Sequence, residues 1–158
     1  MINKRLQKVL RDIAESKKAT LSDAILKDYP RGHKIFTTVC QTCHGPDGNG
    51  IQSLAPPLNE SQWVNGERQR LIAIVLYGLT GPVEVNGKLY KAPEISGDMP
   101  GIGNNDEFSD ADIAQLLSFL RKAWSNNAEK ITEKDVQDVR KKLRNQKKAF
   151  TIEEVLKL

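Results

Sequence analysis

Cys40-Gln41-Thr42-Cys43-His44 places two thiols two residues apart, with an imidazole directly after the second. That order and spacing suit covalent attachment of a c-type haem: each thiol adds across one porphyrin vinyl group, and the next residue turns its ring onto the iron. Cys40 and Cys43 are read as thioether anchors and His44 as the proximal iron ligand. Two other chemistries compete. A zinc site would have to recruit both histidines of the chain, His33 and His44, and a histidine abutting a cysteine closes a tetrahedron poorly. A thioredoxin-like redox pair expects a βαβ setting, which the run Gly32 to Val39 does not supply.

The far side of the iron needs a second ligand. Apart from Met1, the chain has one methionine, Met99, placed in Gly97-Asp98-Met99-Pro100-Gly101. A methionine more often fills a gap in a core, but this one stands among turn residues in a loop that can present a thioether, and it is expected to ligate iron. His33 is the rival ligand; it lies on the helix that carries Cys40, which directs it away from the opposite face. Trp63 and Tyr90 keep two readings, core packing with a polar tip at the surface or donation of an N–H and an O–H to a haem propionate. Arg68 and Arg70 are weaker candidates for the propionates and otherwise surface charges. Trp124 reads as core.

These groups need elements to hold them. Gly32, Phe36 and Cys40 recur every four residues, one helix face that brings Cys40 and then Cys43 to the porphyrin. Gly45 to Gly50 is a turn-rich loop. Asn65-Gly66 opens a helix over 67–77, with Gly78 as its C-cap, and Asn86-Gly87 turns a small hairpin over 83–90. Ser109-Asp110 caps a helix over 111–124 whose Ile113, Leu116, Leu117, Phe119, Leu120 and Trp124 form an apolar stripe. Before this block, Leu6, Val9, Leu10 and Ile13 mark one amphipathic helix over 4–14, and Thr20 to Asp23 a capping box for a second. A single stripe on a short helix is unstable in water, so this arm is expected to pack on the haem module or on an upstream domain. Behind the block, Thr132 to Asp135 caps a helix with Val136, Val139 and Leu143, and Thr151 starts a last turn. This tail is expected to fold back on the module.

At 158 residues, the chain suits one domain with flanking segments: 1–30 as an N-terminal helical arm or linker, 31–124 as the haem domain and 125–158 as a basic C-terminal helical extension. The net charge of +4 is unevenly spread. Residues 1–34 carry nine basic and four acidic side chains, 35–124 six and ten, and 125–158 nine and six. The basic character belongs to the flanks, which argues against a nucleic-acid partner. No run approaches the roughly 18 apolar residues of a membrane span. Met1-Ile2-Asn3-Lys4-Arg5 leads into no apolar segment of an export signal, so the chain is expected to be a mature form or an excised piece of something larger.

Gly32-x3-Phe36-x3-Cys40-x2-Cys43-His44, Pro56-Pro57-Leu58, Met99-Pro100 and a closing helix with Leu116 and Phe119 together resemble a class I cytochrome c over roughly residues 31–124. The resemblance implies an all-α class I fold: N- and C-terminal helices crossed around one covalent haem c, a small hairpin, and here additional N- and C-terminal helices. It implies close helix approach at Gly32, an aromatic contact between Phe36 and Phe119, and a proline carbonyl, at Pro56, that accepts the proximal imidazole N–H and strengthens it as a donor to iron. It also implies attachment outside the cytoplasmic membrane, hence a periplasmic or otherwise exported protein. Ser61 to Val64, Leu76 to Pro82, the hairpin and Phe119 to Trp124 resemble cytochrome modules joined to bacterial quinoprotein sugar or alcohol dehydrogenases. The expected function is single-electron transfer with His44 and Met99 as axial ligands, from a periplasmic dehydrogenase to another redox protein, without catalysis by the module itself. The alternatives are a peroxidase-like haem enzyme with a displaceable distal ligand and a zinc-stabilised interaction module.

Overall fold

The structure is a computed structural model that describes residues 3–158, the side chains of residues 14–22 excepted. Its first element, α1 (Lys4–Asp28), is one helix where two were expected. Asn3 caps it by accepting the Leu6 N–H at 2.8 Å, and the backbone then runs unbroken past Thr20, because no glycine or proline interrupts the segment. The predicted cap at Thr20 lies outside the described side chains. Leu6, Val9, Leu10 and Ile13 remain 45–51% exposed, so residues 4–13 do not pack on the rest of the chain as expected. Ile25 and Leu26, near its end, do enter the core.

Pro30 opens α2 (Pro30–Ile35), where its missing N–H costs nothing. The chain continues through a π-helical turn (Phe36–Cys40) into α3 (Gln41–His44). This corrects the expected regular face, since the wider turn breaks the four-residue repeat between Phe36 and Cys40. A local cause is visible: the Thr37 and Thr38 hydroxyls both donate to the Lys34 carbonyl, at 2.9 and 2.8 Å, competing with the ordinary helical bond.

Ser61 caps the single turn α4 (Gln62–Asn65), and α5 (Arg68–Tyr77) has Glu67 at its N-cap, which corrects the helix start expected at Asn65-Gly66, since Asn65 is the last residue of α4. Gly78 ends α5 at φ +94°, its N–H bonding the Ile74 carbonyl. Two small antiparallel ladders then form. Strand β1 (Gly78–Thr80) pairs with β4 (Asp98–Pro100), with Leu79 opposite Met99. Strands β2 (Val83–Val85) and β3 (Lys88–Tyr90) make the hairpin, with Asn86 and Gly87 at φ 52° and 82° as its left-handed turn requires. The chain is thus mostly helical with two small sheets, and the expected all-α description is corrected by the β1–β4 ladder, whose three-residue strands leave little periodicity to read.

Helix α6 (Asp110–Lys122) starts at a capping box between Ser109 and Asp112 and lies against α2. A Cβ on Gly32 would come within 2.2 Å of the Gln115 carbonyl oxygen, so glycine is what lets the two backbones approach. Phe36 stands 5.4 Å from Phe119 and 5.3 Å from Trp124, ring centre to ring centre. The Arg31 guanidinium pairs with Asp112 at 3.1 Å across the same contact. Capping boxes at Thr132 and Thr151 begin α7 (Glu133–Lys142) and α8 (Ile152–Leu156). Ile131, Val136, Val139, Phe150 and Val155 are buried in the same core as Phe36, Leu116 and Leu117. No helix among the described residues is long and apolar enough to cross a membrane.

Candidate haem-binding site

His44 closes α3 and is buried. The loop behind it is tied by backbone bonds: Gly50 N–H donates to the His44 carbonyl at 2.8 Å, and Leu58 and Asn59 N–H groups donate to the Gly48 carbonyl at 2.7 and 2.8 Å. That closure brings Pro56 to the imidazole, whose Nδ1 lies 2.9 Å from the Pro56 carbonyl oxygen. A carbonyl only accepts, so Nδ1 carries the proton and Nε2 keeps its lone pair. Burial also pushes the His44 pKa down, against a smaller upward effect of the Pro56 bond, so the neutral ring is favoured. A neutral imidazole with a free Nε2 and a fixed ring plane is the form that binds a metal.

Cys40 is half-buried and Cys43 exposed. Burial, reinforced by the charge of Cys43, pushes the Cys40 thiol up to about 12. Both thiols, His44, Pro56, Pro57 and Met99 line one cleft, whose empty volume including its open mouth is about 1300 Å³. Its remaining wall is largely aliphatic: Leu71, Ile74, Val75, Leu116 and Leu120 come from the helices, and Leu79, Val83, Val85 and Ile95 from the sheet side. The donor set fits a covalently held iron porphyrin: two sulfur atoms at one rim, an imidazole nitrogen, a thioether, and an apolar enclosure between them.

Met99 is held differently from the loop expected of it. It is the middle residue of β4, half-buried and paired opposite Leu79. A Cβ on Gly78 would fall 2.5 Å from the Met99 carbonyl oxygen, so β1 can approach this close only with glycine there. The Thr80 hydroxyl adds a 2.6 Å bond to Asp98.

Other expected contributors take different positions. Trp63 lines the cleft, but its indole N–H donates to the Glu84 carbonyl at 2.7 Å, tying α4 to the hairpin. That backbone bond occupies the donor that the propionate reading needed. Tyr90 is not in the cleft lining; it packs with Val83, Val85 and Ile95, with the Lys88 ammonium 4.9 Å from its ring centre. Arg68 pairs with Glu129, and Arg70 pairs with Glu67 and donates to the Leu156 carbonyl, so both serve the tail. His33 faces Phe119, ring centres 5.4 Å apart, so the ligand set of a zinc site with Cys40 and Cys43 is not assembled. The hairpin's part in the cleft wall went unread in the sequence, although Val83-Glu84-Val85 carries its signal as an alternation of buried, exposed and buried side chains.

The chain is 34% identical over 99 residues to cytochrome c-552 of Thermus thermophilus, an alignment covering 60% of this chain and 69% of that protein. The cytochrome c-552 of a further strain of the same species gives the same identity, and the alignment covers 61% of its length. The cytochrome c subunit of a quinone alcohol dehydrogenase from Gluconobacter oxydans is 30% identical over 112 residues, 69% of this chain but 22% of that subunit. The cytochrome c family model matches residues 29–124, and with that match the chain belongs to the cytochrome c family.

Proposed function

We propose that the chain is a one-electron carrier holding a single haem c, with Cys40 and Cys43 as thioether anchors and His44 and Met99 as axial ligands. The observation that carries this reading is the convergence of all four side chains on one apolar cleft, with the His44 Nδ1–H committed to the Pro56 carbonyl. A bound iron porphyrin supplies the one-electron couple. The polypeptide's part is to present a neutral imidazole nitrogen and a soft thioether, and to keep water from the aliphatic wall. Both the thioether and the apolar wall favour the ferrous state, one by ligand softness and the other by penalising the extra charge of the oxidised centre. Trp63 supports the cleft by tying the hairpin to α4, and Tyr90 braces the hairpin from outside the cleft.

In this reading residues 1–30 are an arm or linker, 31–124 the haem domain and 125–158 an extension packed on it. The protein works outside the cytoplasmic membrane, accepting electrons from a dehydrogenase and passing them to a second redox protein. The Gluconobacter dehydrogenase subunit supports the donor class. Redox titration of Met99→His tests the ligand set, because exchanging a thioether for an imidazole should lower the midpoint potential. An unchanged potential would remove Met99 from the iron.

A further inference from the structure

Strand β1 has two edges. One pairs with β4, which carries Met99, and the other would be open were it not for the tail. Phe150, 72 residues after Gly78, fills it: the Phe150 N–H donates to the Gly78 carbonyl at 3.0 Å, and the Thr80 N–H donates to the Phe150 carbonyl at 2.8 Å. The bridge is parallel and sets Phe150 beside Leu79, the residue that faces Met99 on the other edge. Successive peptide groups of a strand alternate between its two edges, so one three-residue strand can hold a neighbour on each side at once. The tail, β1 and β4 form in effect a three-stranded patch with Met99 on its outer strand.

Side chains fix the bridge in place. The Phe150 ring is 4% exposed and meets Tyr77 edge-on, with ring centres 5.8 Å apart. The Tyr77 hydroxyl donates to the Leu143 carbonyl at 3.0 Å, so the end of α5 is tied to the end of α7 just before β1 begins. An exposed three-residue ladder is a weak element by itself and opens easily. Here its far edge is locked to a buried aromatic.

We propose that the C-terminal tail, through Phe150, is a positioning element for Met99: by pinning β1 it keeps the thioether directed into the cleft and sets how often that side of the cleft opens to an outside ligand. The inference rests on the reading of Met99 as the distal iron ligand. Loosening the bridge should raise the fraction of molecules in which the thioether has left, and a ligand that binds only that fraction reports it directly.

The test uses the haem-loaded full chain and carbon monoxide binding to the reduced protein, alongside the weak red absorption band of sulfur-ligated ferric haem. Met99→Ala is the reference: it should lose the band and bind carbon monoxide freely, and if it does neither, the ligand assignment fails regardless of the tail. Given that reference, Phe150→Ala should raise carbon monoxide association at least about tenfold and weaken the band, while Phe150→Leu recovers most of the original behaviour. Tyr77→Phe, a mild change that removes the single bond to Leu143, should raise association about threefold, so the proposal stays testable if Phe150→Ala does not fold. Val136→Ala serves as the control, destabilising the tail away from β1. Equal carbon monoxide association in Phe150→Ala and Val136→Ala, or in Tyr77→Phe and the unaltered chain, would overturn the proposal.

Discussion

Helix α1 offers Leu6, Val9, Leu10 and Ile13 at helical spacing, and α7 with its C-cap residue offers Val136, Val139 and Leu143. The first four are about half exposed; Val136 is 0% and Val139 5% exposed. Both segments lie outside residues 29–124 of the family match, and both are amphipathic and basic. The difference lies in what fixes their approach. A helix of 25 residues spans about 37 Å, and among the described residues α1 meets the module through its last turns, around Ile25 and Leu26. The tail is clamped before α7 begins: the Ser118 hydroxyl donates to the Ile131 carbonyl at 3.0 Å and accepts the Ile131 N–H at 2.9 Å, both buried. Arg121 donates to the carbonyls of Val64, Gly66 and Glu129, joining α4, α6 and the tail. Amphipathicity gives a helix a face to bury, while polar clamps of this kind select where it is buried.

The largest effect that this contrast predicts comes from truncation. Removing residues 128–158 strips Ile131, Val136, Val139, Phe150 and Val155 from the shared core. At roughly 2 kcal/mol or more for each buried side chain, the loss rivals the 5–15 kcal/mol that holds a typical domain together. The haem-loaded protein is then expected not to unfold cooperatively, or not to accumulate. Removing residues 1–13 should leave the thermal midpoint within a few degrees. Similar losses from the two truncations, read by thermal melting at the haem absorption, would erase the distinction between arm and tail.

Single substitutions sharpen the comparison with less disruption. Val136→Ala should cost about 2 kcal/mol, from lost apolar burial and the cavity left behind. Leu10→Ala removes more carbon from a side chain that is 51% exposed and should cost no more than about 0.5 kcal/mol. Denaturant titration of the two haem-loaded variants checks this, and the idea breaks if Leu10→Ala is the more damaging.

What the sequence disclosed divides along the same physical line. Features written in a few neighbouring residues were legible: the Cys40-x2-Cys43-His44 set, the caps at Ser109, Thr132 and Thr151, and the Asn86-Gly87 turn. The Pro56 contact twelve residues from His44 was available through family resemblance. Features that depend on distant partners were not. The π-helical turn at Phe36–Cys40, the Leu79–Met99 pairing and the indole bond of Trp63 to Glu84 have no local spacing that announces them. Asn126 is the clearest case. It sits in a polar run that reads as a break, yet it is 5% exposed and accepts from the Glu60 N–H and the Asn65 amide while donating to the Leu58 and Leu120 carbonyls. Nothing in Ser125-Asn126-Asn127 distinguishes the buried asparagine from its neighbour.

The smallest effect concerns the joint where the arm enters the module. Arg31 follows α1 by three residues and pairs with Asp112 on α6, and the hydrogen bond from Arg31 is the main cause holding the Asp112 carboxyl below its ordinary value of 3.8. A carboxyl lowered on folding stabilises the fold above that ordinary value, and the contribution disappears as pH falls through the folded value. The two side chains are 40% and 24% exposed, so solvent screening limits the pair to about 1 kcal/mol. Asp112→Asn should therefore cost about that much at pH 7 and progressively less in acid, with the two unfolding curves converging below pH 3.8. Added salt should shrink the pH 7 difference as well, because the pair is partly open to solvent. A difference that persists unchanged from neutral pH to pH 3 would mean that the charge of the Asp112 carboxylate contributes nothing at this joint, leaving the arm joined to the module by the apolar contacts of Ile25 and Leu26 and the packing of α2 on α6.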